Sequence, residues 1–160
     1  MVRFFMQHVG EELAKRDFPR SIGTSADGFR HYGVETLLQM AERPLELSES
    51  DQRKIDAVES FQIWGLPEGA KPYTDQMFDG DYLMLLGSEK SCEYIGSIVC
   101  KIPRLAPDIS ISLWGEAKFP WVVLLTESRF LNLPWSDFLS KVGYNPNYFL
   151  RGTTSRVSEH

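Results

Sequence analysis

The strand signals of this chain are crowded into one stretch, residues 61–130. FQIWGL (61–66), DYLMLLG (81–87), CEYIGSIVCKI (92–102), ISLW (111–114) and PWVVLLTE (120–127) each read as a strand. DYLMLLG is continuously apolar, as a strand buried on both faces should be. SEK at 88–90 joins it to the next strand as a hairpin, and Gly96 inside that strand marks a bulge or a close backbone approach. All these strand signals sit in residues 61–130, which favours antiparallel neighbours over βαβ units.

The first sixty residues read differently. Phe4, Phe5, Val9 and Leu13 recur near helical spacing and predict a helix ending before Pro19. Residues 17–33 mix Gly, Ser, Pro and Asp and read as loop. VETLLQMAE (34–42) predicts a second helix stopped by Pro44, and Ser48 with Asp51 predicts a capped third. Pro134 leads into WSDFLSKVG, a last short helix stopped by Gly143, and a turn follows at Asn145-Pro146. The expectation is an α+β chain: a small, curved, largely antiparallel sheet or barrel over 61–152, a helical N-terminal extension over 1–60 and a polar tail over 153–160.

Composition narrows the function classes. At 160 residues, 42% hydrophobic and 24% charged, the chain can bury a substantial core. It carries no apolar run long enough for a membrane span and no signal-peptide pattern, so no membrane partner is expected. Cys92 and Cys100 lack a C-x-x-C partner or nearby His and read as reduced thiols, which places the chain in the cytoplasm. The net charge of −5 argues against a general electrostatic grip on nucleic acid. It leaves room for a module that holds one base with few phosphate contacts.

The common catalytic signatures are missing: no phosphate loop, no G-x-G-x-x-G, no G-x-S-x-G and no H-E-x-x-H. Asp75, Asp79 and Asp81 could together hold a divalent metal, but Asp79-Gly80 reads more simply as a turn. No enzyme, metal or cofactor is therefore expected. What remains is aromatic. Trp64 ends a strand, Tyr73 lies in the following loop, Trp114 and Trp121 flank a turn, and Trp135 opens a helix. Trp121 and Trp135 are expected in the core. Trp64 and Trp114, with Tyr73, are the candidate walls of a pocket for a planar ligand, because a base stacked on an aromatic ring gains roughly 1–3 kcal/mol.

The order of FQIWG, the Gly80-Asp81 turn, IGSIVCKI, the LWG turn at 113–115, PWVVLLTE, NLPWSDFLSKVGY and YFLRG resembles the PUA-like superfamily. That superfamily includes the EVE, ASCH and YTH domains. Within it the chain is most similar to the EVE/YTH-like modules of modification-dependent restriction enzymes, including McrB-type specificity subunits. The resemblance covers about the last hundred residues. It implies a non-catalytic reader that flips a modified base of double-stranded DNA into a pocket walled by Trp64, Trp114 and Tyr73. Asp81 would brace its turn. Phosphates would be gripped by scattered cations: Lys90, Lys101, Arg104, Lys118, Arg151 and Arg156. A nuclease or NTPase, as a further domain or a subunit, would do any cutting, as in phage defence by restriction. An RNA-binding module of the same superfamily is the second reading, and a domain sensing a free nucleotide or a peptide is the third.

Overall fold

The computed structural model describes residues 2–88, 91–141 and 154–156. In chain order these form β1 (Phe4–His8), α1 (Glu11–Ser21), β2 (Gly23–Thr24), β3 (Gly28–Phe29), α2 (Val34–Met40), α3 (Glu49–Ala57), β4 (Gln62–Leu66), a 3-10 turn (Glu68–Ala70) and α4 (Lys71–Thr74). Then follow β5 (Tyr82–Ser88), β6 (Ser91–Lys101), α5 (Pro107–Trp114), β7 (Trp121–Pro134), α6 (Trp135–Lys141) and β8 (Thr154–Arg156).

One curled sheet organises the molecule, in the order β4-β7-β6-β5-β1-β8. Every neighbouring pair is antiparallel except β1 and β5, which run parallel from Phe4 beside Tyr82 to His8 beside Leu86. The architecture is α+β, with a small, largely antiparallel sheet, as the sequence predicts.

Three segments depart from the sequence expectation. Residues 1–60 are not a separate helical layer, because β1 lies inside the sheet between β5 and β8. An interior strand buries both faces: Phe5 enters the main core while Met6 faces the second. The alternation that marks a half-exposed strand is therefore absent, and its phenylalanines read as helical. Gly10, at φ 89°, ends the strand, and Glu11 and Glu12 complement the N-terminal end of α1. α1 also runs through Pro19 to Ser21 instead of ending before it.

The second departure is SISLW, expected as a strand on its β-branched residues. It is the end of α5, started by Pro107 and Asp108 and closed by Gly115 at φ 77°, whose N–H bonds the Ile111 carbonyl. Ile109, Ser110, Leu113 and Trp114 form its buried face. The third is the polar tail: residues 154–156 pair with β1. The expected turns at 88–90 and at Asn145-Pro146 fall wholly or partly outside the described residues.

The sheet has a core on each side. The larger cluster gathers Phe5, Leu83, Leu85, Ile63, Tyr94 and Val122 to Leu125 with residues of α1, α3 and α5. In the smaller, Met6, Met84, Leu86 and Cys92 meet Trp135 and Phe138 of α6. Ser48 caps α3 as expected, its hydroxyl accepting the Asp51 N–H. Gly96 is the anticipated close approach, since a Cβ there would overlap the Tyr94 hydroxyl.

Candidate functional site

The structure places the expected pocket walls inside the core. Trp64 is 4% exposed and Trp114 is 2% exposed, and their rings meet edge to face at 5.7 Å. Phe18 of α1 closes on Trp64 at 5.3 Å, and Trp114 donates its indole N–H to the Ser21 hydroxyl at 3.2 Å. Gly65 is required beside them, because a Cβ there would run into the Trp114 ring. Neither indole offers a face to solvent; helix α5 turns Trp114 inward where a strand-and-turn would have presented it. Trp64 keeps one anomaly, a buried indole N–H with no partner among the described residues. Tyr73 sits half-buried on α4 and makes no ring contact with either tryptophan. Trp135 is buried as expected, and Trp121 is half-buried, its N–H donated to the Glu68 carbonyl.

The expected phosphate-binding cations are equally scattered. Arg104 is buried in a two-pronged ion pair with Asp108, so it is structural and not available to a ligand. The Lys101 ammonium lies over the Phe78 ring at 5.2 Å and donates to the Thr74 carbonyl, and burial lowers its pKa. Lys118 is exposed, 3.8 Å from Glu116. Lys90, Arg151 and the Arg156 side chain lie outside the described residues. The three acids do not converge: Asp75 pairs with Lys71, Asp79 with Lys54, and Asp81 accepts the Arg3 and Phe78 backbone N–H groups. Asp81 thus braces its turn, as expected. Cys92 and Cys100 are buried free thiols.

A cleft of about 880 Å³ opens elsewhere, between α1, the β2–β3 ribbon and the adjoining ends of β6 and β7. Its apolar wall is Phe18 and Phe130. Phe130 is held flat by Phe29 of the ribbon, the two rings parallel within 8° at 4.2 Å, and Phe29 meets Tyr94 edge-on. Behind them runs a chain of hydrogen bonds: Tyr94 to Ser128 (2.5 Å), Ser128 to Gln62 (2.5 Å), and the Gln62 amide to the Arg30 carbonyl (2.7 Å). These bonds fix β4, β6, β7 and the ribbon against one another, so the wall is pre-formed. Lys15 stands at the rim, paired with Glu11 at 3.1 Å.

The polar wall is Ser91, Glu93 and Asn132. Glu93 is the extra residue of a β-bulge: Leu85 and Leu86 of β5 pair with Tyr94 and Cys92, leaving Glu93 unpaired. β7 is irregular at the same level. A bulge re-aims a side chain, and this one lays the Glu93 carboxylate across the bare Cα of Gly87. Burial, and then the nearby Glu11 carboxylate, push Glu93 above the usual carboxylate range. The sequence reading missed this wall. Its only traces are Gly87 and Glu93 bracketing the hairpin, and Phe130 just past the expected end of the strand.

Such a cleft suits a flat, polar-edged ligand: one stacking face, one polar edge and an open mouth. No protein-family model matches the sequence, and no curated protein matches it. Among solved structures the chain is similar to the N-terminal domain of Thermococcus gammatolerans McrB bound to m5C DNA. The TM-score is 0.58 at 15% identity, over 98% of this chain and 90% of that one. At that identity the likeness is one of architecture: this chain shares the curved α+β fold of that McrB domain.

Proposed function

We propose that this chain is a non-catalytic DNA-binding domain that reads a modified base flipped out of the duplex into the cleft beneath α1. The observation that carries the reading is the fold shared end to end with a domain bound to m5C DNA. The cleft supports it. Its volume of about 880 Å³ accommodates a nucleotide, and Phe130 offers a ring held in place by Phe29. Flipping costs a few kcal/mol. Stacking on Phe130 and hydrogen bonds to Ser91, Glu93 and Asn132 offset that cost. Lys15 is the cation that lines the cleft, and its pairing with Glu11 leaves it a weak phosphate contact. Cutting, in a restriction system, belongs to a nuclease or NTPase domain or subunit outside the folded domain described here.

Fluorescence polarisation tests this with matched duplexes carrying unmodified cytosine, 5-methylcytosine, 5-hydroxymethylcytosine or N6-methyladenine, and with RNA counterparts. A preference for one marked duplex is expected. Equal or absent binding across the panel rejects the reading. The net charge of −5 favours one rival, a sensor of a free nucleotide. A nucleoside monophosphate that raises the melting temperature while no duplex binds would establish that rival.

A further inference from the structure

We propose that Glu93 is the residue that selects cytosine over thymine in this cleft. The proposal rests on the base-reading function above and names the base class that the site accepts.

The need for such a residue follows from chemistry. 5-Methylcytosine and thymine share ring, shape and 5-methyl group. They differ at position 4, an amino donor in one and a carbonyl acceptor in the other, and in the matching N3. Stacking on Phe130 and a fit to the methyl group cannot tell them apart. A site reading methylated cytosine in DNA full of thymine must read position 4. An ionised carboxylate only accepts hydrogen bonds, so it favours the 4-amino group and repels the 4-carbonyl.

Four observations set Glu93 in that role. It lines the cleft that Phe130 walls. It is the unpaired residue of the β-bulge, so the backbone is distorted where its side chain is aimed. Gly87 leaves bare the one spot where its carboxylate rests; any side chain there would evict it. Among the described residues, no hydrogen-bond donor and no cation within ion-pair distance reaches that carboxylate, and Lys15, the cation lining the cleft, is engaged by Glu11. A half-desolvated carboxylate gains strongly from a donor brought by a ligand, since charge-assisted hydrogen bonds are the strong ones. Ser91 and Asn132, on the same wall, carry donors suited to the acceptors N3 and O2 of cytosine.

The test measures binding to two duplexes identical except at one position, m5C opposite G and T opposite G. The mismatched thymine is the easier base to flip, which biases the comparison against the proposal. The wild-type chain is expected to prefer m5C by about tenfold or more. Glu93→Gln keeps the shape but can turn an N–H₂ toward a carbonyl, so the preference should fall to within about twofold of unity. Gly87→Ala leaves Glu93 intact and displaces it, and should lower m5C affinity by about tenfold, with thermal melting confirming that both variants fold. If wild type prefers m5C to thymine and Glu93→Gln keeps that preference, the assignment of Glu93 is overturned while the reader stands. If wild type binds the thymine duplex as tightly as the m5C duplex, the assignment of Glu93 is likewise overturned; only equal or absent binding across the whole panel of marks takes the reader with it.

Discussion

Removing the guanidinium of Arg104 should destabilise the fold without touching ligand binding. Arg104 and Asp108 are 6% and 8% exposed at their side chains and bond through two nitrogen–oxygen pairs, at 3.0 and 2.9 Å. The same guanidinium donates to the carbonyls of Arg43, Pro44 and Leu105, and Asp108 also accepts the Glu42 N–H at 2.8 Å. One ion pair thereby fastens the α2–α3 linker to the first turn of α5. Truncation in Arg104→Ala leaves a buried carboxylate unpaired and three carbonyls without their donor. Breaking a buried pair from one side costs about 3–5 kcal/mol. At about 2–4 °C per kcal/mol for a chain of this size, Tm should fall by about 6–20 °C. The Arg104 guanidinium, together with backbone N–H groups, holds Asp108 far below the usual carboxylate range. A depressed folded-state pKa contributes stability above the unfolded value, lost as pH falls toward the folded one. The gap between wild type and Arg104→Ala should therefore be widest near neutral pH and narrow as pH drops below about 4, the range where an unpaired Asp protonates. Urea unfolding at pH 7 and pH 3.5 measures it. A loss under about 1 kcal/mol at pH 7, or a gap that does not change with pH, would refute the reasoning. The companion Arg104→Met with Asp108→Leu, which removes both charges, should recover much of the stability.

Trp114→Ala should lower stability by about 3–5 kcal/mol, because it empties a fully buried site; urea unfolding checks this, and a loss below 1 kcal/mol would return the indole to the surface. Phe130→Ala should cost less stability than Trp114→Ala, the ring being only partly buried, but weaken binding to the preferred duplex by about 5- to 150-fold, the loss of one base stack, as read by fluorescence polarisation. Cys92 and Cys100, both pushed up to about 12 by burial, should resist iodoacetamide at pH 8 in the native state and react fully in urea.

How much of this was legible in the sequence depends on the kind of signal each residue carries. The hairpin of β5 and β6, the capped α3, the close approach at Gly96 and the brace at Asp81 all follow from local chemistry, and all stand where the sequence put them. The failures share a cause: a tertiary context that inverts a local pattern. β1 is buried on both faces, so its pattern lacked the period of two. α5 carries Ile109 and Ile111, which favour strands, but Pro107 and Gly115 punctuate it as a helix, and punctuation outweighed propensity. The site failed for the same reason. Trp114 was read as a turn residue, and a helix turned it into the core. Glu93 was invisible because a bulge, not a motif, aims it: neither Gly87 nor Glu93 is unusual alone, and their contact exists only once the strands pair.

The acidity of the chain, which counted against nucleic acid, sharpens the expected behaviour once the cations are located. The chain has 17 Lys and Arg against 22 Asp and Glu. Lys15, Arg16, Lys54, Lys71 and Arg104 each face a carboxylate within ion-pair distance, and so does Lys118 at the loosest spacing. Cations already paired neutralise little phosphate, so few counterions are released on binding. The dependence of log K on log salt should then have a slope of only about −2 to −3, as for two or three phosphate contacts. Unmodified duplex, which gains nothing from the cleft, should bind weakly at every salt concentration. The preference for a marked duplex should persist as salt rises, because stacking on Phe130 and a hydrogen bond to Glu93 release no counterions. Salt titrations of marked and unmodified duplexes from 50 to 200 mM, about the range over which strong phosphate binders lose most affinity, measure both quantities. A slope steeper than about −6, with a preference that collapses as salt rises, would mean that a basic face dominates recognition and that the cleft does not.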